Sequence, residues 1–282
     1  MSSPTVDVEP GDPNPLSSPR LWLAAGAEIA AAIAVAAVML HARQTATPHQ
    51  AMHSHHHELH WNTMLLVIGS VTVATLIWWL ATRSRVPAVL AAAGLAALAS
   101  SETIRTLALQ SHLAAMAALE ALLVAAPLLL IHAVRRGQLR SLAAQSKPWT
   151  AWVIVAVALN SALLLAIHLP AIHAHGAHLA AVPLWLALLV VLVGMSYWGA
   201  ILLTTGRVGS AVRRGALVIG QEVAAILGLA ALLWPSPHLQ HGSPLGLTPD
   251  TDQRLGGVLM LVTCAVVTLP LVRKLESHRV PS

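Results

Sequence analysis

Eight apolar runs, each close to the length needed to cross a lipid bilayer, constrain this chain more than any other feature. They cover residues 21–41, 61–81, 87–101, 111–134, 150–169, 180–203, 215–234 and 254–272; a helix crossing the hydrocarbon core needs about 20 mostly apolar residues. The third run is short. Alternating apolar and polar residues, the mark of half-buried strands, do not occur, and in lipid every backbone amide needs a partner within its own segment. The expected fold class is all-α: a polytopic membrane helix bundle of about eight transmembrane helices. Composition points the same way. Of the 282 residues 56% are hydrophobic and 10% charged, whereas soluble domains carry about a quarter charged residues. Too few polar groups exist to cover a water-facing surface, so the lipid bilayer is the expected surrounding.

The formal net charge is +5, but the basic residues form neither a patch nor a tail. They sit in short groups between apolar runs, which argues against nucleic acid as a partner and speaks instead to topology. With eight spans both termini share one side. That side holds Arg20, Arg83, Arg85, Arg135, Arg136, Arg140, Lys147, Arg207, Arg213, Arg214, Arg273, Lys274 and Arg279, which is 13 of the 16 Lys and Arg. The other side holds Arg43, Arg105 and Arg254. The positive-inside rule makes the first side, and both termini, cytoplasmic. The chain then divides into a Pro- and Ser-rich, disordered cytoplasmic N-terminus (1–20), an anchor helix with an external His-rich loop (21–60), a seven-helix membrane domain (61–275) and a cytoplasmic tail (276–282). The first run exceeds a signal-peptide core in length, so it reads as an uncleaved anchor.

Histidine distributes in the opposite sense. Only His132 and His278 of the 16 histidines fall on the cytoplasmic side. The densest group, His49, Met52, His53, His55, His56, His57 and His60, fills the first external loop; it reads either as a solvated polar loop or as a metal-collecting one. His168, followed by Pro170, His173, His175 and His178, forms a second group at the end of the fifth run, with interfacial polar residues as the plain alternative. A third feature lies in the fourth run, where His112, Met116 and Glu120 recur every four residues and so share one stripe of a helix. Met116 alone reads as core packing; beneath His112 it reads as part of a ligand stripe. Glu120 is expensive at its depth and belongs in a bundle interior or wet cavity; Glu28, Glu222 and Asn160 are further polar residues within spans.

Imidazole suits copper and zinc, and thioether leans toward Cu(I). The single cysteine, Cys264, rules out an internal disulfide. Methionines gather toward the external side, where thioethers survive oxidation that thiols do not. Copper, as Cu(I), is the expected metal, with zinc the alternative. Asp250, Asp252 and Gln253 precede the Gly256–Gly257 pair at the start of the last run. The Asp residues are expected to cap that helix or satisfy its amide donors, and the glycines to permit close packing. No Ser/His/Asp pattern, phosphate loop or HExxH is present, and no pair of His sits mid-membrane on facing helices as haem ligation would need. The chain is not expected to be an enzyme.

Four stretches resemble the CtaG-like cytochrome c oxidase assembly factors, bacterial multi-span proteins. In SSETIRTLALQSHL (100–113), Glu102 and His112 fill the places of the family's acidic residue and its helix-opening His. VAAPLLL (124–130) resembles the end of that helix. IHLPAI (167–172) with GMSYW (194–198), and DQRLGGVLM (252–260), resemble the remaining motifs. Where the family usually has a second His four residues on, this chain has Met116, and the Glu-His pair usual after His178 is missing. The likeness covers about residues 61–275. It implies a divergent member that sits in the bacterial cell (inner) membrane, binds copper and assists oxidase assembly, with an oxidase subunit or a periplasmic copper chaperone as partner. The alternative is a transmembrane copper or zinc transporter working through a Glu120/Glu222 interior; a third reading is a structural subunit without metal.

Overall fold

The computed structural model describes residues 63–135, 147–168, 181–233 and 244–277. The expected first span, the His-rich loop and both terminal segments at 1–20 and 278–282 lie outside the described residues. The described helices are α1 (Thr63–Thr82), α2 (Arg85–Ser100), α3 (Glu102–Gln110), α4 (His112–Glu120), α5 (Ala126–Arg135), α6 (Lys147–His168), α7 (Leu184–Leu202), α8 (Ser210–Leu233) and α9 (Pro249–Ser277). A π-helical turn, Ala121–Ala125, joins α4 to α5, so that the two form one span, His112–Val134. Among the described residues there is no β-strand, only an isolated bridge between Thr205 and Val208.

Six helices are long and apolar enough to cross a membrane, and α2 with α3 makes a seventh if the bent pair is one span. The chain is thus a multi-pass membrane helix bundle. Large apolar side chains such as Leu66, Val67, Val73 and Ile77 on α1 are exposed, which in water would be costly and in lipid is the favoured state. The His112–Val134 span and α7 are the central helices, with 56% and 50% of their apolar windows buried, against 17–28% for the other four spans. Around them α9 packs along α8 and α4, while α2 packs on α1 and α5.

Residues 102–110, which join the third and fourth apolar runs and would be read from the sequence as a loop, form a helix. The short third span stops at Ser101, whose backbone is extended and whose Oγ accepts from the Ile104 amide at 3.4 Å. Capped in this way, the chain restarts as α3 at 57° to α2. Leu107 and Ile104 on α3 pack against Leu113, Leu245 and Leu247. A nine-residue amphipathic helix of such low hydrophobicity carries little signal beside the spans, and it forms because this end of the bundle offers an apolar surface to cover.

The two ends of the bundle are chemically distinct. At one, the Arg105 guanidinium donates to the Val182 carbonyl at 2.7 Å, and Ser111, His112 and His168 lie together with Asp252. At the other, His132 lies 3.4 Å from the Arg83 carbonyl, Arg207 stacks over Trp149 at 4.4 Å, and Arg213 donates to the Ile201 carbonyl.

Candidate functional site

His112 is the first residue of α4, and its place is set from two directions. Ser111, with extended backbone, caps the helix by accepting from the Ala114 amide at 3.2 Å. The same hydroxyl donates to Asp252 Oδ1 at 2.7 Å, and Asp252 Oδ2 accepts from the His112 amide at 2.6 Å. Asp252 is fully buried. A carboxylate on the start of a helix meets unsatisfied amides and the positive end of the helix dipole, and charge-assisted hydrogen bonds of this kind are the strong ones.

This corrects the expectation that Asp252 caps its own helix. α9 is capped instead by Thr248, whose Oγ1 accepts from the Thr251 amide at 3.3 Å, while Asp250 pairs at the surface with Arg254 at 3.2 Å. Asp252 lies far enough into α9 to point across to α4. The rest of the motif follows the same geometry. Gln253 donates to the Ala231 carbonyl at 2.9 Å and ties α9 to α8. A Cβ on Gly256 would sit 2.5 Å from His112 Cδ2 and 3.3 Å from Met116 Cγ, so only glycine lets α9 form the wall against which these side chains rest. Gly257 meets the Gly228 backbone in the same close manner, as the expected packing role of the pair requires.

His168, the last residue of α6, faces His112 across the bundle, with ring centroids 6.4 Å apart and the rings at 77°. Its Nδ1 donates to the Leu164 carbonyl at 2.7 Å. That bond puts the proton on Nδ1 and the lone pair on Nε2, the arrangement that orients histidines for metal binding. With metal–nitrogen bonds of about 2.0–2.1 Å, two imidazoles sharing an ion place their ligating nitrogens within about 4 Å of each other. Rings at the observed separation are within reach of that geometry. Met116 lies one turn below His112, 2% exposed, in a cluster with Leu119, Met260 and Cys264. The stripe of His112, Met116 and Glu120 is therefore real, and its middle member is packed in the core.

Among the described residues, no group of three or more His, Cys, Asp and Glu is placed to share a metal ion. The donors brought together are two imidazoles, and Met116, one helical turn along α4 from His112, packs in the core cluster. This set is too small for a closed tetrahedral zinc site and of the softness that suits Cu(I). The other expected ligands, His173, His175 and His178 after α6 and His53, His55, His56, His57 and His60 in the first loop, lie outside the described residues.

Deeper in the bundle Glu120 borders a small cavity with Asn160, Tyr197, Gln221 and Cys264. Glu222, paired with Glu120 in the transporter alternative, is exposed on α8 and is not among the residues lining that cavity; Gln221 is. The π turn begins right after Glu120. Its Leu123 carbonyl accepts from Trp198 Nε1 at 3.0 Å, and Gly194, one turn before Trp198 on α7, gives that carbonyl room. Sequence reasoning found Gly194 and Trp198 only as a resemblance. It missed the π turn, because nothing in Ala-Leu-Leu-Val-Ala distinguishes an α from a π turn.

No family model, no curated protein and no solved structure matches this chain.

Proposed function

We propose that this chain is a copper-binding assembly factor for cytochrome c oxidase. In this reading it resides in the bacterial cell membrane with both termini cytoplasmic and the histidine-bearing end outside. The observation that carries the reading is the meeting of His112 and His168. These residues are 56 positions apart, on different helices, and stand ring to ring at one end of the bundle, with Met116 one turn along α4 from His112. The residues that hold His112 in place, Asp252 and Gly256, are those through which the sequence resembles the CtaG-like assembly factors. Copper is cargo here: the His112/His168 pair with Met116 accepts Cu(I) and passes it by ligand exchange to an oxidase subunit or a periplasmic chaperone. Binding and transfer complete the task, without turnover of an organic substrate. The transporter alternative is the weaker reading, since Glu222 stands outside the cavity that Glu120 borders.

Cu(I) titration of the purified full chain, alongside oxidase assembly in cells, tests the proposal. His112→Ala is expected to abolish assembly. Met116→Leu keeps the packing volume and loses the sulfur, so it should weaken Cu(I) binding about tenfold, the change that the loss of about 1.4 kcal/mol produces. Met116→His restores an imidazole where the resembled family has one and should be tolerated. Parent-like Cu(I) binding and assembly in Met116→Leu would reduce Met116 to core packing. Undiminished Cu(I) binding in His112→Ala would remove the proposal itself.

A further inference from the structure

We propose that the groove between the start of α6 and the turn joining α7 to α8 holds the headgroup phosphate of an anionic phospholipid, with the acyl part of that lipid lying along α6. The groove is at the opposite end of the bundle from the His112/His168 pair, and the inference does not rest on the copper reading. The groove measures about 480 Å3, within the range of about 300–1,000 Å3 usual for small-ligand sites. One wall is Lys147, Thr150, Ala151 and Ile154 of α6; the other is formed by residues 207–209. The α6 residues recur at i, i+3, i+4 and i+7, so they make one face of the first two turns. Followed toward the membrane interior, that face changes from an ammonium to a hydroxyl, then to a methyl group and a branched aliphatic chain. A phospholipid offers its phosphate, glycerol esters and hydrocarbon in the same order. Ile154 is 61% exposed, and Val155 and Leu159 farther along α6 are exposed as well. Apolar surface therefore continues from the groove along the span.

The headgroup end is basic and has no counter-charge in the chain. Arg207 is held by stacking over Trp149, 4.4 Å from the ring centre, and Lys147 is exposed. Neither forms an ion pair among the described residues, and residues 121–221 contain no Asp or Glu at all. Arg and Lys on facing walls suit phosphate, Arg through its planar fork of donors and Lys as a point charge. The Thr150 hydroxyl adds a third donor. The lack of a carboxylate tells against a zwitterionic headgroup, whose ammonium would meet only charges of its own sign. The apolar continuation tells against a free anion, which has nothing to place along Ala151 and Ile154. Basic pockets between transmembrane helices on the cytoplasmic side bind anionic headgroups, and on the topology proposed above this groove opens to that leaflet.

The test is thermal unfolding of the purified full chain in detergent micelles carrying a rising fraction of phosphatidylglycerol or of phosphatidylcholine, with inorganic phosphate added to lipid-free micelles as a third arm. A ligand that binds only the folded state raises Tm with a saturable dependence on its concentration. The expected result is a saturable rise with phosphatidylglycerol that neither phosphatidylcholine nor inorganic phosphate matches. Lys147→Gln and Arg207→Gln should each raise the half-saturating fraction of phosphatidylglycerol about fivefold, the worth of one basic residue at an anionic surface. Arg85→Gln, at an exposed position on the same end but outside the groove, should leave it unchanged. An equal rise with phosphatidylcholine would overturn the inference, and an equal rise with inorganic phosphate would replace the lipid by a free anion. Parent-like half-saturation in both groove variants, or an equal change in Arg85→Gln, would place the lipid elsewhere and overturn it too. Should Arg207→Gln fail to fold, Lys147→Gln, which alters only an exposed side chain, still decides the question against Arg85→Gln.

Discussion

Asp252 shows how one side chain sets the geometry of a site to which it contributes no ligand atom. Its two oxygens hold the Ser111 hydroxyl and the His112 amide, the first contact buried and the second part-buried where α9 meets α4. Asp252→Ala removes both acceptors and strands two donors at a helix start. A loss of about 2–3 kcal/mol is expected, from the value of hydrogen bonds to a charged group and the usual cost of a missing cap. Asp252→Asn retains one acceptor oxygen and should lose about half as much. Thermal unfolding of the two variants in one detergent measures the difference; equal and negligible losses would show that Ser111 alone caps α4. The same contacts predict that Asp252→Ala loosens His112 and weakens metal binding without removing a ligand.

Among the elements, the π turn between α4 and α5 is the least expected and is held from outside its own helix. Trp198, fully buried, donates to the Leu123 carbonyl, and Gly194 makes the room for that carbonyl against α7. Trp198→Phe leaves the carbonyl without its indole donor, and Gly194→Ala drives a methyl group against it. Each should cost about 1–3 kcal/mol. Because both act on one carbonyl, the double variant should cost less than the sum of the singles. Additive losses in denaturation experiments would show that the two residues act on α7 independently of the turn.

For the whole molecule, the testable statement is topology. The described helices place Arg105, His112, His168 and Asp252 at one end and Arg83, His132, Arg207 and Arg213 at the other. This is the division drawn from the basic residues alone. The excess of Lys and Arg at the second end predicts that it faces the cytoplasm. Single cysteines at positions 50 and 140, in a Cys264→Ala background, read this directly. An impermeant reagent applied to intact cells should label position 50 and spare position 140; the reverse pattern would invert the whole map and place the His112/His168 pair inside.

The sequence by itself determined that this is a helical membrane bundle, where the spans among the described residues run, and that His112, Met116 and Glu120 share a stripe. Those properties follow from apolar run length and from the repeat of the α-helix, which are local and legible in a single chain. It also marked the Gly256–Gly257 pair as a packing point. The tertiary structure alone decided what the stripe faces. That Asp252 caps α4 rather than α9, that His168 reaches His112, that Gln221 rather than Glu222 borders the cavity with Glu120, and that α4 passes into a π turn under Trp198 are all contacts between helices distant along the chain. Local pattern carries no record of them, because helix rotation and depth are set by packing against neighbours. The helix at 102–110 belongs with them: its residues favour no structure strongly, and it forms where Leu113, Leu245 and Leu247 give its apolar face a surface to cover.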